Sequence, residues 1–187
     1  MKSLNFKQSG VLSLPHNTAY IFSVLIGSLF IAVLAQISIP IPFSPVPITG
    51  QTIGVVLLGG LLGSKIASLA VLASLFEGAM GLPVFANMQS GPHILIGPTG
   101  GYLWGFVIAA FLTGYITEKG LTNTPISSFL TCLFSTTLIL IIGTGYLALF
   151  GLGLEKALIA GFYPFLIGDV IKSSICAMII AYSRKSS

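Results

Sequence analysis

The sequence predicts an all-α integral membrane protein with six transmembrane helices and both termini in the cytoplasm. Three observations lead there. Hydrophobic residues make up 55% of the chain and charged residues 6%, the apolar residues gather into six runs, and the cations fall on alternate connections between those runs. An ordinary soluble domain carries about 25% charged residues. A single core in water could not absorb this much hydrocarbon, whereas a bilayer takes about 20 apolar residues per helical span. The 187 residues therefore read as one membrane domain, 1–187.

The runs cover residues 20–39, 48–62, 66–82, 100–116, 126–150 and 162–182. The first is long and has no small-residue cleavage site behind a compact basic segment, so it reads as a retained span rather than a removable signal. The second and third are short and could fuse through Gly63-Ser64-Lys65 into one helix, giving five spans. Charge decides between the two counts. With six spans, Lys2, Lys7, Lys65, Lys119, Arg184 and Lys185 are all cytoplasmic and Lys156 alone is external. With five, Lys119, Arg184 and Lys185 stand against Lys2, Lys7 and Lys156, and the bias vanishes.

The same division separates the connections. The cytoplasmic turns are brief and charged, whereas two outer connections are long and nearly uncharged. Residues 38–47 read Ser-Ile-Pro-Ile-Pro-Phe-Ser-Pro-Val-Pro, a proline density that forbids helix and favours stiff, extended backbone. Residues 83–98 run from Pro83 through Asn87 and His93 to Pro98. Surface loops are seldom this apolar, and both are expected to cap a cavity open to the outside.

Composition excludes several functions. The formal charge of +4 is dispersed, with no basic stripe for nucleic acid. Cys132 and Cys176 lie inside apolar runs without metal or redox spacing and read as packing residues. His93 has no metal-ligating companion, and no phosphate-cradling Gly-x-x-x-x-Gly-Lys motif occurs. Neither a Ser-His-Asp constellation nor a metal-binding His pair is present, so no enzyme, metal or cofactor is expected.

Ionisable groups within membrane spans are costly and mark function. Asp169 and Lys172 are three residues apart on the last helix, hence on one face, and opposite in sign. Both fall in the outer half of their span, and Glu77 lies near the outer end of the third. Gly97-Pro98-Thr99-Gly100-Gly101 allows close backbone approach and opens a helix whose free N–H groups face a polar ligand. Ser28 and Ala32 give a small-residue spacing that serves either as a docking face for another membrane protein or as packing inside this chain.

Four segments together carry a resemblance. They are the stretch from Ala35 to Thr49, Ala-Gln-Ile-Ser-Ile-Pro-Ile-Pro-Phe-Ser-Pro-Val-Pro-Ile-Thr; Gly81-Leu82-Pro83-Val84-Phe85-Ala86; Gly97-Pro98-Thr99-Gly100-Gly101-Tyr102; and Pro164-Phe165-Leu166-Ile167-Gly168-Asp169-Val170-Ile171-Lys172. The chain resembles the BioY family, the biotin-binding S components of energy-coupling factor transporters. The resemblance spans nearly the whole length. It implies capture of external biotin at the bacterial cytoplasmic (inner) membrane. It also implies docking onto a transmembrane coupling protein with two ABC-type ATPases, which would supply the ATP hydrolysis. It assigns ligand contacts to Asp169, Lys172 and Asn87.

Biotin's chemistry agrees with those residue types. Asp169 can accept from a ureido N–H, Lys172 can donate to the ureido carbonyl, and the Asn87 amide can do either. Phe43, Phe85, Tyr102 and Trp104 are candidate apolar walls, with Tyr102 favoured by its motif. Gln51, Thr49 and the outer-loop backbone remain open as partners of the carboxylate tail. Gly50 and the glycine-poor stretch from Asn87 to Ser90 depart from the family's usual pattern. The rivals are an S component for another small vitamin and a biotin carrier that works without the ATPase module.

Overall fold

In a computed structural model, the protein is described over residues 16–185, with side chains over 18–184; Lys2 and Lys7 lie outside the described residues. Eight α-helices follow in order: α1 His16–Ala35, α2 Gln51–Leu62, α3 Ser64–Ala79, α4 Pro92–Ile96, α5 Gly100–Glu118, α6 Pro125–Leu147, α7 Leu154–Gly161 and α8 Leu166–Lys185. Two strands, β1 Ser38–Ile39 and β2 Ile48–Thr49, pair antiparallel between α1 and α2, with Ser38 opposite Thr49. The helical core expected of a membrane chain is present, since within lipid the backbone must satisfy its own hydrogen bonds.

Several expected boundaries move. The first run ends as helix at Ala35, because the prolines from Pro40 onward withhold N–H donors and residues 38–39 pair with 48–49 instead. The second therefore begins at Gln51 rather than at residue 48. The last opens with a short 3-10 turn at Tyr163–Phe165 and is α-helical only from Leu166. Two short helices, α4 and α7, are additions that periodicity did not reveal.

The second and third runs are separate helices, broken at Gly63, whose φ of +85° suits glycine and few other residues. Their directions follow from α1. Gly27 stands against both Leu58 and Ala70, and Gly54 against Ile31 and Leu34, while Ser28 bonds to Glu77. Thus α1 runs antiparallel to α2 and parallel to α3, and the chain reverses at Gly63. The α5 helix runs alongside α2, while α6 and α8 complete the bundle, α8 packing on α6 and α2.

At one end of the bundle the backbones approach through glycine. A Cβ on Gly59 would stand 2.8 Å from the Ala110 carbonyl oxygen, and one on Gly114 would stand 2.3 Å from the Ser64 nitrogen. Into this contact Glu118 inserts its carboxylate as a cap on α3. It accepts from the Ser64 N–H at 2.7 Å and the Ser64 hydroxyl at 2.9 Å, where the positive end of the helix dipole favours an anion. Arg184 reaches the Thr117 carbonyl at the same end. Lys65, Lys119 and Arg184 therefore share one end, and Lys156, on α7, lies toward the other.

Among the described residues, four helical stretches are long and apolar enough to cross a bilayer: Thr18–Ala35, Gly100–Glu118, Pro125–Leu152 and Leu154–Arg184. The 12 residues of α2 rise only about 18 Å, short of the roughly 30 Å hydrocarbon thickness, because the chain above them forms the β1–β2 hairpin. Removing the α3 cap with Glu118→Ala is expected to destabilise the protein by about 1 kcal/mol, read as a lowered midpoint of thermal unfolding in detergent.

Candidate functional site

Opposite the glycine-packed end, the bundle holds a half-open cavity of about 200 Å³. Its apolar walls include Leu103 and Phe106 of α5, Ile139 and Leu140 of α6, and Phe165 just before α8. Both long connections close over it. The first contributes Ile41, Ser44 and Val46, and the second contributes Phe85, Asn87 and Gln89. The expectation that these loops cap a cavity is met by their positions.

Lys172 lines the cavity from α8 and donates to the Thr49 carbonyl at 2.7 Å and the Thr52 hydroxyl at 3.1 Å. Its ammonium has three hydrogens, so one remains for a ligand. The expected neutralisation by Asp169 takes a looser form. Among the described residues no carboxylate lies within the 4.0 Å of an ion pair with Lys172, though the two charges lie close enough to interact. Three residues of separation places them on one helix face but lets their side chains diverge. Asp169 is 5% exposed, lies against Thr136 and Thr137 of α6 rather than on the cavity wall, and leaves Oδ2 buried without a hydrogen-bond partner. A buried polar atom left this way is costly unless something supplies the missing bond.

Gln51, also 5% exposed, lines the cavity at the first turn of α2, and its side-chain amide makes no hydrogen bond to the protein. It brings two donors and an acceptor to a spot beside Lys172's partner Thr52. Asn87 enters from the opposite cap with left-handed backbone, φ 57° and ψ 38°. Cation, two amides and apolar walls together suit a neutral polar head on a hydrophobic body.

Tyr102 and Phe85 are both buried wall residues. The Tyr102 hydroxyl is committed to the protein, donating to the Gly161 carbonyl at 2.8 Å with the Thr144 hydroxyl at 3.2 Å. Its ring therefore serves as wall while its oxygen pins α7. Phe85 seats its ring against Gly78, where a Cβ would stand 2.2 Å from the ring.

Other expected residues lie elsewhere. Glu77 is not on the cavity lining; its carboxylate accepts from the Ser28 hydroxyl at 2.5 Å and ties α1 to α3. Ser28 and Ala32 are 1% and 8% exposed, and Ser28 bonds to Glu77 of α3, so both are packed inside the chain. Phe43 and Trp104 are exposed and outside the lining, the Trp104 indole N–H donating to the Leu95 carbonyl at 3.3 Å. Thr52 and Gln89 line the cavity without having been singled out, and Thr99 lines it from within its glycine motif. For Thr52 the adjacency to Gln51 in the first turn of a helix was the one available signal.

The Tyr102 anchor is testable through stability. Tyr102→Phe keeps the ring and removes the hydroxyl, and is expected to cost about 1 kcal/mol. Gly143→Ala would place a Cβ 2.2 Å from the Tyr102 ring and is expected to cost more, about 1–3 kcal/mol. Thermal unfolding of both variants in detergent checks the order.

Comparison with known proteins places this geometry in context. The family profile described as "BioY family" matches residues 6–187. The chain is 40% identical to the Biotin transporter BioY of Thermotoga maritima over 151 residues, 79% of this chain and 86% of the relative. It is 37% identical to the Biotin transporter BioY of Rhizobium etli, over 83% of this chain and 89% of the relative. Among solved structures, the S-component for biotin from an ECF-type ABC transporter superposes with a TM-score of 0.79 at 29% identity, covering 92% of this chain and 95% of that one. These relatives are named for transport, and none for catalysis. With the family profile running through the described chain, and relatives this similar over most of their length, the protein belongs to the BioY family.

Proposed function

We propose that this chain is the biotin-binding S component of an energy-coupling factor importer. It captures biotin from outside the bacterial cytoplasmic membrane and delivers it together with a transmembrane coupling protein and two ABC-type ATPases. The observation that carries the reading is the pairing, in one cavity, of a lysine with a spare donor and a buried glutamine without a partner among the described residues, set among apolar walls. Biotin's ureido group offers two N–H donors and one carbonyl, and its fused ring and thioether want hydrocarbon contact.

In this reading Lys172 donates its remaining hydrogen to the ureido carbonyl. Asp169 turns its unpartnered oxygen toward the cavity and accepts a ureido N–H, which removes the cost of leaving that oxygen bare. Asn87 closes over the ring from the second cap, while Tyr102 and Phe85 pack against it. Gln51 binds at the α2 end, with Thr49 and the hairpin backbone beside it, where the carboxylate tail finds donors.

The same reading assigns six spans, with the short α2 and α3 crossing as a hairpin and both termini cytoplasmic. Support comes from the clustering of Lys65, Lys119 and Arg184 at one end, as expected of a cytoplasmic face.

Equilibrium binding to the detergent-purified chain tests the ligand. Wild type is expected to bind biotin without any partner subunit. Lys172→Ala should weaken binding by about 10- to 150-fold, the loss of one hydrogen bond to a charged group, and Asp169→Asn should also weaken it. A wild-type chain that ignores biotin, or variants that bind it equally well, would sink the reading. Orientation is tested separately by a membrane-impermeant thiol reagent on intact cells. Lys156→Cys should label from outside and Lys119→Cys should not, against a low background from the buried Cys132 and Cys176.

A further inference from the structure

The second cap carries a backbone that sequence preference does not favour. Asn87 and Met88 follow one another with φ of 57° each, a left-handed region that side chains other than glycine seldom adopt, Asn more readily than Met. Consecutive residues in such a conformation persist only where their surroundings hold them. Within the loop itself the hold is slight: Phe85 N–H donates to the Gln89 carbonyl at 3.1 Å and Gln89 N–H to the Ala86 carbonyl at 3.2 Å.

Outside the turn, the Phe85 ring seats against Gly78 and the Gly91 N–H donates to the Gly78 carbonyl at 2.7 Å, but the bond to the turn's own left-handed peptide comes from Gln36, the first residue beyond α1. Its Oε1 accepts from the Met88 N–H at 3.0 Å. Its Nε2 donates one hydrogen to the Ala32 carbonyl at 3.0 Å and the other to the second loop, where the Phe85 carbonyl at 3.2 Å and the Pro83 carbonyl at 3.4 Å share it. A primary amide has donors on one arm and an acceptor on the other. One side chain can thus bond both limbs of the turn and root them in the last turn of α1. The Met88 N–H belongs to the peptide directly after Asn87, so its bond fixes the orientation of that peptide. Ser28 and Glu77 fix α1 to α3 two turns below. Two residues beyond Gln36, Ser38 enters the β1–β2 hairpin, so Gln36 stands at the root of both caps. It does not itself line the cavity.

We propose that Gln36 is a positioning residue that holds Asn87 in the cavity through the Met88 amide and so governs how fast the ligand leaves. For its ligand this rests on the biotin reading. Its mechanical part is tested without ligand, by hydrogen exchange of the purified chain. Peptides covering residues 83–91 are expected to exchange faster in Gln36→Ala than in wild type. Unchanged protection overturns the proposal. Gln36→Met, of similar length but without hydrogen-bonding arms, serves if the alanine variant does not fold.

With biotin, Gln36→Ala should raise the dissociation rate about tenfold, the effect of losing roughly one net hydrogen bond, with a smaller change in association. In an Asn87→Ala background the same substitution should add little, because the residue it positions is gone. Independent, additive effects would show that Gln36 does not act through Asn87. Should wild type bind no biotin, the ligand assignment falls, while the exchange experiment still decides whether Gln36 holds the loop.

Discussion

A cation buried in a membrane bundle has to find oxygen, and Lys172 finds it across the fold. Its bonds to the Thr49 carbonyl and the Thr52 hydroxyl join the last helix to the junction between the hairpin and α2. Much of the cavity follows from that contact. It fixes the first cap at its base, brings Gln51 to the wall, and sets the opening of α2 beside α8. A neutral residue at position 172 would leave the hairpin without this tie to the far side of the bundle.

The opposite end is built on a different principle. There Gly59 and Gly114 bring backbones within reach of one another, Gly60 accommodates Ile180, and the Glu118 carboxylate bonds the first turn of α3. Without a hydrophobic drive between helices in lipid, close packing and buried hydrogen bonds hold the bundle together. Dense packing at one end and a largely apolar cavity with a few polar groups at the other give the molecule a rigid base beneath a cavity capped by loops. The hydroxyl contacts between, from Thr113 to Ser135 at 2.7 Å and between Thr136 and Ser173 at 3.1 Å, knit α5, α6 and α8 along the way.

The caps divide their tasks. The hairpin is stiffened by its prolines and by strand pairing, whereas the second cap depends on distant partners: Phe85 in its notch at Gly78, and Gln36 on both limbs of its turn. Asn87 reaches the cavity from a conformation that its own segment does not sustain. The cavity is thus assembled from a packed floor and two differently supported caps.

By itself the sequence determined the membrane class, the number of apolar runs and the end to which the cations belong, because these depend on composition and on spacing along the chain. It also put Lys172 among the site candidates, since a charged residue in an apolar span is visible without coordinates, whereas Asn87 came from the family resemblance and Gln51, Tyr102 and Phe85 from matching biotin's chemistry to the residues at hand. Only the tertiary structure decided which groups meet. Asp169 and Lys172 share a helix face yet form no ion pair, Lys172 bonding to Thr49 and Thr52 instead, Glu77 holds Ser28 instead of facing the cavity, and Gln36, inconspicuous in its motif, grips a loop some fifty residues away. Hydrogen-bond partners in a bundle are chosen by helix rotation and backbone approach, quantities set by the packing of all the helices together, and no local stretch of sequence contains them.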